Sequence, residues 1–119
     1  MAEGLASHLG GNLVEASSAG LFPAPIVQPE TFQVMAERGM PLDPSHTPRN
    51  ILLVEGSAVD VLVNMSGQPA VRLLNGFQGR RVEWEVQDPI GMHIQVYRAV
   101  RDIIEDRVRE LISQVQRER

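Results

Sequence analysis

A parallel α/β fold with helices on both faces of a short sheet is what this sequence predicts, and three observations predict it. Strand-like and helix-like stretches alternate along the 119 residues, and the connections between them are too long for hairpins. The third is the run Asp60 to Ser66 (Asp-Val-Leu-Val-Asn-Met-Ser), aliphatic in the middle and polar at both ends, as a strand covered on both faces should be. With 43% hydrophobic residues, no linker and no internal repeat, residues 1–119 are expected to form a single domain.

Taken in order, Met1 to Leu9 places Ala2, Leu5, Ala6 and Leu9 at helical spacing, with Glu3 in the first turn, where the helix dipole favours an anion. Gly10-Gly11 ends that helix. Asn12 to Ser18 reads as a short strand closed by Ala19-Gly20, and Leu21 to Pro29, with three prolines, as an irregular loop. A second helix should start near Pro29 with Glu30 in its first turn, carry Phe32, Met35 and Ala36 inward, and stop at Gly39.

Pro41 to Pro48 is a further loop. Thr47-Pro48, a cap followed by a first-turn proline, predicts a short helix over Arg49 to Glu55 with Ile51, Leu52 and Val54 inward and Gly56 as its stop. After the organising strand the chain turns at Gly67 to Pro69, and two readings compete. Val82-Glu83-Trp84-Glu85-Val86 alternates as the second arm of a hairpin would, with Val82, Trp84 and Val86 inward; Val71 to Leu74 could instead be a parallel last strand. From His93 to Arg117 the pattern is the clearest helix in the chain. Tyr97, Val100, Ile104, Val108, Leu111 and Val115 recur every three or four residues, while Arg101, Asp102, Glu105, Asp106, Arg109 and Glu110 line the other faces.

Composition removes several classes of function. A net charge of −4 argues against a surface that neutralises nucleic acid, and the eleven basic residues are all Arg. No apolar run reaches the roughly 18 residues of a membrane span and no signal-peptide pattern opens the chain, so a cytoplasmic protein is expected. The absence of cysteine excludes disulfides, thiolate metal sites and a cysteine nucleophile. His8, His46 and His93 are scattered among loops and helix ends, no metal-ligand spacing or Gly-rich nucleotide loop is present, and neither a metal nor a cofactor is expected. A packed or half-exposed His8 outweighs a ligating one.

Four stretches in this order, Met-Ala-Glu-Gly-Leu at the start, Ser18-Ala19-Gly20, the Asp60 to Ser66 strand and Trp84-Glu-Val-Gln-Asp-Pro89, resemble the low-molecular-weight protein tyrosine phosphatases and the arsenate reductases that share their fold. The resemblance implies a phosphotyrosine protein phosphatase I-like, three-layer α/β/α fold. It prefers a parallel last strand at Val71 to Leu74 and an extended loop from Trp84 to Gly91. In that family a Cys, five residues and an Arg form a phosphate loop ahead of the Met-Ala-Glu helix. There, backbone N–H groups hold an oxyanion and lower the cysteine's pKa. By resemblance the first strand, the Cys and the Arg would all precede residue 1, through a start codon misplaced at an internal Met or a shortened paralogue. The expected function is an inactive family member; the alternative is a fragment of an active phosphatase or arsenate reductase.

Of the family's chemistry the resemblance leaves Asp88 in Asp88-Pro89, which would be a relic general acid, against the plain reading of a turn aspartate before proline. Where the phosphatases follow Asp-Pro with tyrosines that shape the substrate cleft, Ile90-Gly91 stands here, and Trp84 is closer to the arsenate reductases. Ser18 matches a segment beside the phosphate loop, but a small residue at a strand end explains it as well. The family's first strand is interior, so its loss would leave Leu13 to Ser17 and Asp60 to Met65 with unpaired edges. Either the remaining strands close up or a second chain fills the gap as a homodimer. Phosphate or another oxyanion would bind at most weakly.

Overall fold

The computed structural model describes residues 1–20, 27–45, 48–67, 74 and 76–118, the side chain of Leu52 excepted. They fall into two compact units, one of Met1–Ser18, Ile26–Thr47 and Gln87–Arg119, the other of Ala19–Pro25 and Pro48–Val86. The first is helical and the second carries a short parallel sheet, so the chain is an α/β protein.

In the first unit, helix α1 spans Ala2–Gly10, α2 spans Pro29–Glu37 and α3 spans Ile94–Arg117. Each begins and ends near its expected residues, with Pro29 in the first turn of α2 and Gly11 closing α1 at φ 53°. The long α3 packs against both α1 and α2. Tyr97, Val100, Ile104 and Val108 form its buried stripe, meeting Leu5 of α1 and the buried Val34 and Met35 of α2 in one core. The inward face of α2 is Thr31, Val34 and Met35; Phe32 is half-buried and Ala36 exposed, a rotation of the face away from the one expected.

Charge is also buried here, which the sequence pattern does not suggest. Arg101 and Glu105 were expected on solvated faces of α3, yet both are buried. Their partners on α2 and at its end explain why. Arg38 forks onto Glu105 with Nη2 to Oε2 at 2.7 Å and Nε to Oε1 at 3.0 Å, and Arg109 adds a bond to Oε2 at 3.3 Å. Arg101 donates to the Val34 carbonyl at 3.0 Å and to Glu37 at 2.8 Å, while Arg98 forks onto the same Glu37. One guanidinium thus satisfies a carbonyl of the last turn of α2, a group the helix itself leaves unpaired.

The second unit centres on β1, Val61–Asn64, within the run predicted as its organising strand. Its neighbour is β2, Arg80–Glu83, parallel to it with Val61 opposite Arg80 and Asn64 opposite Glu83. The hairpin reading is therefore wrong in direction although right in facing: Trp84 is buried, Val82 and Val86 are half-buried, and Glu83 and Glu85 are exposed. The parallel partner of β1 is at Arg80–Glu83, whereas the strand preferred by resemblance is at Val71 to Leu74. Of its expected location, Val71 to Leu74, only the buried Leu74 is among the described residues. Also outside them are the cap residue Thr47, His46, and most of the Leu21 to Pro29 loop and the Gly67 to Pro69 turn.

Two further expectations fail. Asn12 to Ser18 is not a ladder strand among the described residues: Gly11–Leu13 makes a 3-10 turn, and Val14 to Ser18 belongs to no strand of the sheet. Val14 is extended at φ −135°, ψ 131°, and Val14 and Ala16 are half-buried between exposed Glu15 and Ser17, so the alternation seen in the sequence is present while the ladder is not. Arg49 to Glu55 is no α-helix either. It holds a 3-10 turn at Ile51–Leu53 with Ile51 buried, Val54 half-buried and Leu53 79% exposed.

Gly79 sets how closely β2 can approach. A Cβ there would overlap the Asp60 carbonyl oxygen, the acceptor of the Arg80 N–H that starts the ladder at 2.9 Å. Gly79→Ala is expected to cost about 1 to 3 kcal/mol through a forced backbone shift, read as a lower denaturant midpoint with loss of amide protection at Arg80. Unchanged protection would refute it.

Candidate functional site

Asp88 lies in the segment that leads into α3, and its surroundings follow from three local rules. Its Oδ1 accepts the Ile90 N–H at 3.1 Å, the side-chain turn that Asp forms readily two residues ahead. The Met92 N–H then donates to the Pro89 carbonyl at 2.9 Å, closing a tight turn whose third residue, Gly91, takes φ 80°. A side chain there would be strained, so glycine is required. Finally, Nδ1 of His93 accepts the Gln95 N–H at 3.2 Å and caps α3.

Pro89 and Tyr97 are buried, and Asp88, Ile90, Met92 and His93 are exposed. Tyr97, only 1% exposed, sits one turn into α3 with the Gly91 backbone near its phenol oxygen. Burial pushes the phenol above its ordinary range, and the negative charges of Glu30 and Asp88 push the same way, while the Gly91 backbone opposes them. The loop is thereby held from below and presents the Asp88 carboxylate to water. Its Oδ2 carries no hydrogen bond among the described residues.

Flanking Asp88, Ile90 is 54% and Met92 44% exposed, so the acid is bordered by aliphatic surface with no aromatic ring on that turn. Gln87 holds Met92 in place, its Nε2 3.2 Å from the thioether sulfur.

Among the described histidines, neither His8 nor His93 joins this acid in a catalytic set. His8 is exposed, with Nε2 at 3.4 Å from the Pro41 carbonyl oxygen, and the Nδ1 of His93 is used as a cap. Ser18 is exposed. Among the described residues no group of three or more His, Asp or Glu is placed to hold a metal, and no helix is long and apolar enough to cross a membrane. Tyr97 was expected only as core. Its second task, under the acid's turn, was signalled by its being the chain's one Tyr at the start of the helix that follows Asp-Pro.

Comparisons with known proteins agree on one relationship. The family model described as low molecular weight phosphotyrosine protein phosphatase matches residues 1–119. A glutaredoxin arsenate reductase of Synechocystis sp. is 29% identical over 117 residues, 97% of this chain and 87% of that protein. A putative arsenate reductase of Halobacterium salinarum is 33% identical over 101 residues, 85% of this chain and 69% of that protein. Among solved structures, an arsenate reductase in the phosphate binding state superposes with a TM-score of 0.83 at 27% identity, covering 96% of this chain and 86% of that one.

Proposed function

Since the chain belongs to the low molecular weight phosphotyrosine protein phosphatase family, we propose that it is an arsenate-reductase-like member that keeps the family's acid-bearing turn without the sulfur chemistry. It acts as one domain and is catalytically silent toward phosphate monoesters and arsenate. One observation carries this reading: an ordered, exposed Asp88 on a turn fixed by Pro89, Gly91 and Tyr97, in a sequence that contains no cysteine.

In the thiolate mechanism the sulfur attacks the oxyanion's central atom while an acid protonates the departing oxygen. Asp88 has the position in sequence and the accessible oxygen for the second task. Without a thiolate no bond to the leaving oxygen weakens, so a proton held at Asp88 has nothing to assist.

The arsenate reductase side of the family is favoured over the phosphatase side by the relatives above and by Ile90-Gly91 after Asp-Pro. Aliphatic edges there supply no ring to stack on a phosphotyrosine. Oxyanion binding is expected to be weak. The N-terminal end of α1 offers backbone N–H groups, and the neighbour in the phosphate binding state supports anions as the ligand class. The assembly is taken to be a homodimer.

The purified chain should show no turnover of p-nitrophenyl phosphate and no arsenate reduction with thiol reductants. Turnover that survives purification and is lost in Asp88→Asn would overturn the proposal.

A further inference from the structure

We propose that Met92, on the turn that carries Asp88, is a reversible oxidation site: hydrogen peroxide converts its thioether to a sulfoxide ahead of every other methionine of the chain. Cysteine thiolates are the side chains such oxidants attack most readily, and this chain has none, so the burden passes to its five methionines. These differ in access. Met35 is 0% exposed in the helical core and Met1 and Met40 are half-buried, whereas Met65 and Met92 are exposed, at 36% and 44%. Exposure alone barely ranks those two.

Gln87 ranks them. Its Nε2 lies 3.2 Å from the Met92 sulfur, a donor resting on a weak acceptor. Among the described residues the Met65 sulfur has no such donor. An amide that close to the sulfur is within reach of an oxygen placed on it, and that is where the two methionines part.

In the reaction a sulfur lone pair attacks one peroxide oxygen and the O–O bond breaks. The transferred oxygen gives its proton to the departing hydroxide, which leaves as water, so sulfur loses the two electrons that peroxide gains. Negative charge grows on oxygen as that bond breaks, and the Gln87 N–H is already positioned to meet it. The sulfoxide oxygen that results is a stronger acceptor than the thioether it replaces. Because the amide approaches the sulfur from one direction, oxygen is favoured on one side, and the product is mainly one of the two sulfoxide epimers.

The modification alters the border of Asp88 and leaves its backbone intact. The Met92 N–H still closes the turn on the Pro89 carbonyl, while the flexible apolar edge beside the carboxylate becomes a polar one. Methionine sulfoxide reductases, which are specific for one epimer or the other, reverse it.

Peptide mapping by mass spectrometry after graded hydrogen peroxide reads the rate at each methionine within one sample. Met92 should oxidise about fivefold faster than Met65, the factor that one hydrogen bond supplies. Met35 should lag both by about a hundredfold, since its sulfur is reached only when the helical unit opens. In Gln87→Leu the Met92 rate should fall to that of Met65. Its sulfoxide, cleared mainly by one epimer class of reductase in the unsubstituted chain, should become an even mixture cleared by both. Continued protection of Met35 reports that the variant is folded, and the ranking in the unsubstituted chain needs no variant. Met65 or Met40 oxidising as fast as Met92 would end the assignment, as would a Met92 rate and epimer ratio indifferent to Gln87→Leu.

Discussion

Tyr97→Ala should lower the stability of the helical unit by about 3 to 5 kcal/mol, the range for removing a large aromatic side chain from a packed core. The ring is 1% exposed and lies on the stripe that α3 shares with Leu5, Val34 and Met35, so its space has no route for water and only partial means of collapse. Tyr97→Phe separates the ring from the hydroxyl. It should cost only about 1 kcal/mol, the scale of one neutral hydrogen bond, and most of the loss should appear locally, as faster amide exchange at Gly91 and Met92. Alkaline titration distinguishes the two contributions. Burial raises the phenol pKa in the folded chain above its ordinary value of 10.0, so the stabilising contribution is intact below that value and is lost as pH rises through the folded pKa. Wild type should therefore lose stability above about pH 10 more steeply than Tyr97→Phe. Equal alkaline limbs in denaturant titrations would show that the phenol is not buried as described.

The sequence made some of this architecture legible and hid the rest for identifiable reasons. α3 and β1 are visible because their hydrophobic period is set by one dominant face each. The Pro29 start and the Gly11 stop are visible because backbone geometry restricts which residues fit there. What failed was pairing. Asn12 to Ser18 has a strand's alternation, but a strand is defined by its neighbour, and composition does not supply one. The strand at Arg80–Glu83 was missed because β2 is charged, with Arg80, Arg81 and Glu83 exposed and only Val82 half-buried, so a hydrophobicity scan passes over it. Asp88 was found through resemblance. The Ile90 N–H bond, the Gly91 φ and the phenol below it fix the turn that carries it, and none of those is written in the spacing.

Glu105→Ala is the second change with a large expected effect, and it tests the feature the sequence hid most completely. Glu105 is 5% exposed and accepts hydrogen bonds from Arg38 and Arg109. Breaking a buried pair by removing one partner costs about 3 to 5 kcal/mol when the other charge stays buried. Here the Arg38 and Arg109 side chains are 43% and 57% exposed and can turn to water, which places the expected loss nearer about 2 kcal/mol. The sign of its pH dependence is fixed by the carboxyl. The Arg38 hydrogen bond holds it below its ordinary value of 4.5, against the opposing effect of burial. A depressed folded pKa gives a contribution that is complete above 4.5 and disappears as pH falls through the lower folded value. Wild type should therefore show an acid limb of falling stability that Glu105→Ala largely lacks, the two denaturant midpoints converging as the carboxyl protonates. A constant gap between them down to low pH would mean that Glu105 stabilises the α2–α3 seam through packing of its methylenes, and that the ion pair contributes nothing.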